Sequence, residues 1–217
     1  MTMVYNSKRY ALLNSDIELG WNLRRVVRYL QPKARDRILD IGCSRGFITR
    51  AVQRFAPDTT GIDLNPEAIA SSVTGGLRVM DAQRLDFPTA SFDKIYSFHV
   101  IEHIPDLGAA LREMDRVLKP GGTLLLVYPA EPIRGLYVVP TATIVFGNPF
   151  RARDIHLHKL SPWRLRKYVA ATSLRPVHST LHLLLTPQFI TVFRKSAAVQ
   201  RQMTPAFAPE LAAVGAS

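Results

Sequence analysis

The run Ile38-Leu39-Asp40-Ile41-Gly42-Cys43-Ser44-Arg45-Gly46 constrains this chain more than any other segment. A short apolar strand enters a turn carrying two glycines, and an apolar helix leaves it around Phe47 to Phe55. Strand-turn-helix units of this kind build sheets whose ligands sit at the carboxyl ends of the strands. Gly42 and Gly46 have no side chain, so a ligand could lie against backbone there. A plain turn with two convenient glycines is the competing reading, and the neighbouring segments decide between them.

Those segments repeat the pattern. Thr60 to Leu64 reads as a strand, and Asn65-Pro66-Glu67 supplies an N-cap, a first-turn proline and a first-turn acid for the next helix. Leu77 to Met80 and Phe92 to Phe98 read as strands. Asp106 to Leu118 reads as a helix with Leu107, Leu111, Met114 and Leu118 on one face. Pro120-Gly121-Gly122 is expected to stop that helix, and Thr123 to Tyr128 is a buried strand. Before the loop, Ser15 to Leu30 has capping-box spacing at Ser15 and Glu18 and an apolar stripe of Ile17, Trp21, Val26, Val27 and Leu30. After it come a helix from Pro162 to Ala171 and two strands, Arg175 to Leu185 and Gln188 to Arg194, paired antiparallel across Thr186-Pro187.

Strands alternating with helices predict an α/β, Rossmann-like, doubly wound sheet with helices on both faces. At 217 residues the chain suits one domain. The expected layout is a single domain over 1–195, with a cap helix in 1–31 and a lid insertion over 130–160, followed by a disordered tail over 196–217.

Three strand ends carry acids toward one crevice. Asp40 lies within the loop segment. Asp63 ends the next strand, 17 residues after Gly46, where a carboxylate can accept two hydrogen bonds from a ribose diol. Asp81-Ala82 follows the third strand, where an acceptor could meet an adenine amino group. A dinucleotide site would want G-x-G-x-x-G so that a helix N-terminus meets the pyrophosphate. Here the spacing is G-x-x-x-G with an acid two residues before the first glycine. Negative charge suits a ligand with an ammonium and a sulfonium, which favours S-adenosylmethionine over a diphosphate.

The segments ILDIGCSRG, GIDLNPE, DAQRLDFPTASFDKI, HVIEHIPD and LKPGGTLLLVYP together resemble the class I methyltransferases across residues 37 to 129. Within that class they look most similar to the small-molecule branch that includes ubiquinone-pathway O-methyltransferases. The resemblance implies a seven-stranded sheet with an antiparallel last strand. It also implies cofactor contacts at Asp40, Gly42, Gly46, Asp63, Leu64, Asp81, Ala82 and, at the end of the fourth strand, Ser97. Ser44 takes the place of the family's usual middle glycine; a serine fits there if its backbone angles are ordinary, though it crowds the methionine moiety.

Methyl transfer needs an aligned nucleophile and, for a hydroxyl or amine, removal of a proton. His99, Glu102 and His103 follow the fourth strand at the mouth of the crevice and are the candidate catalytic residues. Either one of them is a general base, or Glu102 and His103 cap the next turn. The quinone-pathway relatives carry Glu-x-x-Glu-His at this place, resembling a divalent-metal site. His99 stands where the first carboxylate would be, which speaks against a hard cation. No metal is therefore expected there or at the second His-x-His pair, His156 and His158.

Charge and composition narrow the acceptor. The net charge is +11, and it is concentrated late: residues 132–201 hold 11 Lys and Arg against one acid, Asp154, whereas residues 1–131 are nearly balanced. The lid contains an apolar stretch, Gly135 to Gly147, followed by Arg151, Arg153, His156, His158 and Lys159. Apolar next to basic suits a small-molecule or amphiphilic acceptor with an anionic head, or peripheral contact with an anionic membrane; packing of the apolar stretch on the core is the competing reading. Tyr5, Tyr10 and Trp21 are aromatic candidates for the opposite wall, Trp21 being expected in the core. With one cysteine, Cys43, no signal peptide and no run long enough to span a bilayer, the expected location is cytoplasmic, with or without membrane association. The basic third also raises an RNA methyltransferase, but no RNA-binding module or aromatic-basic interleaving is visible, so nucleic acid is not the expected partner. A non-catalytic S-adenosylmethionine-binding protein is the remaining alternative.

Overall fold

The computed structural model describes residues 19–130, 157–183 and 187–197. In chain order the elements are α1 (Leu19–Leu30), β1 (Ile38–Ile41), α2 (Phe47–Gln53), β2 (Thr59–Asp63), α3 (Pro66–Ala70), β3 (Leu77–Val79), β4 (Phe92–Phe98), α4 (Leu107–Val117), β5 (Leu118–Pro129), α5 (Pro162–Val169), β6 (Leu174–His182) and β7 (Gln188–Lys195). A 3-10 turn, Ile101–His103, lies between β4 and α4. Most of the expected lid, the first half of the cap segment with Tyr5 and Tyr10, the 184–186 link and the tail from 198 lie outside the described residues.

The strands form one sheet in the order β3-β2-β1-β4-β5-β7-β6. Neighbours from β3 to β5 pair in parallel, and β7 runs antiparallel to both β5 and β6. The order reverses between β1 and β4, and crossovers leaving on opposite faces open a crevice at such a point. Successive residues of β1 serve opposite faces, as the period of a strand requires. Leu39 and Ile41 join Leu107, Leu111, Met114, Leu165 and Val169 on the α4–α5 side. Ile38 joins Val26, Leu30, Val52 and Tyr96 on the α1–α2 side. Both faces are covered, which is why β1 is apolar throughout apart from Asp40.

Two local expectations need correction. Trp21 is not a core residue: it is 48% exposed, and α1 instead buries Asn22, Val26 and Leu30. Asn22 tolerates burial because its Oδ1 accepts from Arg25 Nη1 at 2.7 Å. Nor does Pro120-Gly121-Gly122 stop α4. The helix ends at Val117, Leu118 is already extended at φ −74°, ψ 135°, and it pairs with Phe92. Lys195 Nζ, reaching over from β7, donates to the carbonyls of Leu118 and Asp115. A cation on the last carbonyls terminates a helix favourably, so the stop comes from a residue 77 positions away.

Candidate active site

The loop after β1 is held from below: Gly42 and Cys43 both donate their N–H to Ile62 O, at 2.8 and 2.9 Å, and Gly46 N–H closes onto Cys43 O at 2.8 Å. Gly42 and Gly46 have φ of 80° and 83°, where a side chain is strained. On the side where a side chain would stand, the protein's own residues already fill the space. A Cβ on Gly42 would lie 2.0 Å from Val100 Cγ2, and one on Gly46 would lie 2.6 Å from Leu77 Cδ1. The glycines let the protein's own side chains close over the loop. Ser44 departs from expectation too: its φ is 49°, a left-handed angle that costs most side chains about 1–2 kcal/mol.

The three acids differ in their surroundings. Asp40 is buried, and its Oδ2 accepts from Thr49 Oγ1 at 2.6 Å and Tyr96 OH at 2.9 Å. Burial, with a lesser push from the Asp63 charge, raises its pKa to about 7 against the relief given by the two hydroxyls. Asp63 is partly exposed. Its Oδ2 accepts from Ser44 N–H and its Oδ1 from Asn65 N–H, each at 2.8 Å. Burial raises its pKa while these backbone donors oppose the rise. Asp81 is already engaged by Gln83, whose N–H meets Oδ1 at 2.8 Å and whose Nε2 reaches Oδ2 at 2.9 Å. Gln83 Oε1 then accepts from Asp106 N–H at 2.9 Å, linking the end of β3 to the start of α4. Leu64 is exposed beside this row, and Ala82 is buried. Between the first two acids the Cys43 thiol is buried and its pKa pushed far up, by burial first and then by both carboxylates.

At the end of β4, His99 also holds a left-handed φ, 55°. Its Nε2 lies 2.9 Å from Gln188 Oε1 and its Nδ1 lies 3.6 Å from Glu102 Oε1. His103 Nε2 stands 3.8 Å from the same Glu102 oxygen. The fold thus gathers His99, Glu102 and His103 around one buried carboxylate. Ser97 Oγ, 1% exposed, has no hydrogen-bond partner among the described residues, although an unmade bond to a buried hydroxyl costs about 1–3 kcal/mol. Glu102 O also accepts from Leu157 and His158 N–H at 2.9 and 3.1 Å. His158 Nε2 donates to Ile104 O at 2.8 Å, so His158 fastens the chain entering α5 to the turn after β4; His156 lies outside the described residues. Gln83, Gln188, Tyr96, Thr49 and Val100 were not singled out from the sequence. Only Gln83 left a signal, the Asp-x-Gln turn that follows β3.

These residues fit a nucleoside ligand at the crevice. A carboxylate offers about four lone-pair positions, so Asp63 keeps acceptor capacity beyond the two backbone bonds, on a partly exposed edge. The orphaned Ser97 Oγ is a further polar atom in want of a partner.

Comparison with known proteins agrees. Residues 39–126 match the family model described as a methyltransferase domain. The chain is 37% identical over 99 residues to the ubiquinone biosynthesis O-methyltransferase of Xanthomonas oryzae pv. oryzae, covering 42% of this chain and 41% of that one. It is 34% identical over 97 residues to the 2-methyl-6-phytyl-1,4-hydroquinone methyltransferase of Synechocystis, covering 41% of this chain and 30% of the relative. The chain therefore spans less than half the length of these curated relatives. In structure it resembles a SAM-dependent methyltransferase from Methanosarcina mazei, with TM-score 0.61, 23% identity and coverage of 80% of this chain and 98% of that one. Over residues 39–126 the chain is similar to a methyltransferase domain, and its fold is that of the solved methyltransferase.

Proposed function

We propose that this protein transfers the methyl group of S-adenosylmethionine to a small, lipid-like acceptor at oxygen, nitrogen or carbon. The observation that carries the reading is the convergence of Asp63, Asp81 and the His99–Glu102–His103 cluster at the carboxyl ends of β2, β3 and β4, beside the reversal in strand order. When bound, the cofactor supplies a carbon already activated by its sulfonium. The residues of the chain supply alignment and proton handling. Asp63 receives the ribose hydroxyls, and Ser97 offers its free hydroxyl. His99, backed by the Glu102 carboxylate, takes the proton from an acceptor hydroxyl or amine.

An apolar acceptor is supported by the two quinone-related relatives. An anionic group on it, or on a membrane that holds it, is supported by α5, where Arg164, Arg166 and Lys167 are exposed. Lys167 Nζ there sits 4.3 Å from the ring of Trp163, itself 64% exposed, an amphipathic pairing suited to an anionic interface. Incubation with methyl-labelled cofactor and a fractionated native extract tests the reading. Label is expected in a product extracted by organic solvent, with a shallow dependence on salt. Label in RNA, with the steep salt dependence of phosphate contacts, would overturn it.

A further inference from the structure

Gln188 opens β7 and is buried, 3% exposed, opposite Pro129 of β5 and His182 of β6. From there it reaches past the end of β5 to the His99 ring at 2.9 Å, while the His99 main-chain N–H donates to Val127 O of β5 at 2.8 Å. His99 is thus fixed twice, backbone and side chain, in a left-handed conformation that persists only when its surroundings determine it. With the amide oxygen of Gln188, which can only accept, assigned to face the ring, Nε2 is the nitrogen that carries the proton. In the neutral ring that leaves Nδ1 as the basic nitrogen. Nδ1 faces Glu102 Oε1 at 3.6 Å, and His103 Nε2 approaches the same oxygen at 3.8 Å. Glu102 is a titratable group facing His99, His103 shares its oxygen, and Gln188 is an uncharged group on the other side of the ring.

We infer that Gln188 is a positioning residue that sets the tautomer of His99, making Nδ1 the nitrogen that accepts a proton. A proton arriving at Nδ1 gives an imidazolium whose two N–H groups face oxygens, Gln188 Oε1 on one side and Glu102 Oε1 on the other. The cation is then held without reorganising the site. The kinetic consequence rests on the proposed role of His99 in methyl transfer, whereas the tautomer does not.

The test uses the full chain, labelled with nitrogen-15, and correlates the imidazole nitrogens of His99 with their ring protons across pH. The parent should show neutral His99 protonated at Nε2. Gln188→Leu should show a mixture of both tautomers. Gln188→Glu, which has the same shape and keeps an acceptor, should retain Nε2–H and raise the His99 midpoint by about one pH unit or more. In methyl transfer, Gln188→Leu should lower kcat at least about tenfold while cofactor affinity stays within about twofold. Gln188→Glu should restore turnover and move the acid limb of its pH profile upward with the His99 midpoint, because only the neutral ring can accept. If Gln188→Leu fails to fold, the Gln188→Glu titration decides alone. An Nδ1-protonated parent, or one tautomer and one midpoint in all folded forms, would overturn the inference. Tautomers that move as expected in a protein that methylates nothing would instead overturn the function and leave the positioning role standing.

Discussion

The main-chain N–H of Ser44 donates to Asp63 Oδ2 at 2.8 Å, while Ser44 itself sits at φ 49°. One hydrogen bond therefore ties the loop after β1 to the end of β2, across a residue whose side chain opposes the conformation it must hold. Relieving that strain should stabilise the protein. Ser44→Gly keeps the N–H, removes the penalty of about 1–2 kcal/mol for a left-handed side chain and gives back about 0.5–1 kcal/mol in unfolded-chain entropy. A net gain of about 0.5–1 kcal/mol should raise the melting temperature by roughly 2 °C in a chain of this size. A lower melting temperature would show that the serine side chain makes a compensating contact.

Gly42 should respond in the opposite way. Gly42→Ala drives a methyl to within 2.0 Å of Val100 Cγ2 and places it on a residue at φ 80°. Overpacking and backbone strain each cost about 1–3 kcal/mol, so a loss of several degrees in melting temperature is expected. Adding Val100→Ala removes the clash but not the strain. The double variant should recover part of the loss, and full recovery or none would contradict this account of the loop.

The buried Asp40 predicts a stability profile with a defined sign. Burial pushes its folded pKa up to about 7, above the ordinary 3.8, so the folded state holds the proton more tightly than the unfolded one. The associated stability is present at low pH and is lost as pH rises through about 7. Asp63 shifts the same way. Asp93 and Glu113 shift downward, and their contribution is lost only on acidification below their ordinary values. Between about pH 5 and 7, Asp40→Asn should therefore flatten the fall in melting temperature expected for the parent. An equal slope in both proteins would refute the assignment.

Replacing His99 or His103 with Ala should lower turnover by about 10²–10⁴-fold if either is the general base, with cofactor affinity nearly intact. Calorimetric titration of the cofactor beside a methyl-transfer assay separates the two effects. A collapse in affinity would make the residue a cofactor contact or a structural one.

The reach of the sequence depended on distance along the chain. The strands and α4 were legible because their apolar residues recur with the right period, and Asn65 was legible because an N-cap acts on its own neighbours: its Oδ1 accepts from Glu67 and Ala68 N–H. The end of α4 was legible to within one residue, but its cause was not: Lys195 reaches the last carbonyls from 77 residues away, whereas Pro120-Gly121-Gly122 gave a local signal that the strand absorbed. The same holds within the site. His99, Glu102 and His103 cluster within five residues and were visible together, but Gln188 stands 89 residues from His99 in a segment that reads only as strand. Ser44 misled for another reason: serine carries no mark of the left-handed angle that a glycine would have advertised. Trp21 misled because hydrophobicity alone does not say which face of a helix meets the core, and Asn22 took the buried place.

Asp63 is the acceptor proposed for the cofactor's ribose. Titration calorimetry of S-adenosylmethionine into the parent and into Asp63→Ala, with folding of both checked at the same temperature, tests it most directly. Saturable one-to-one binding by the parent, weakened at least about tenfold in the variant, is the predicted result, since a charge-assisted hydrogen bond contributes about 1.5–3 kcal/mol. No binding by the parent, or equal affinity in a folded variant, would contradict it.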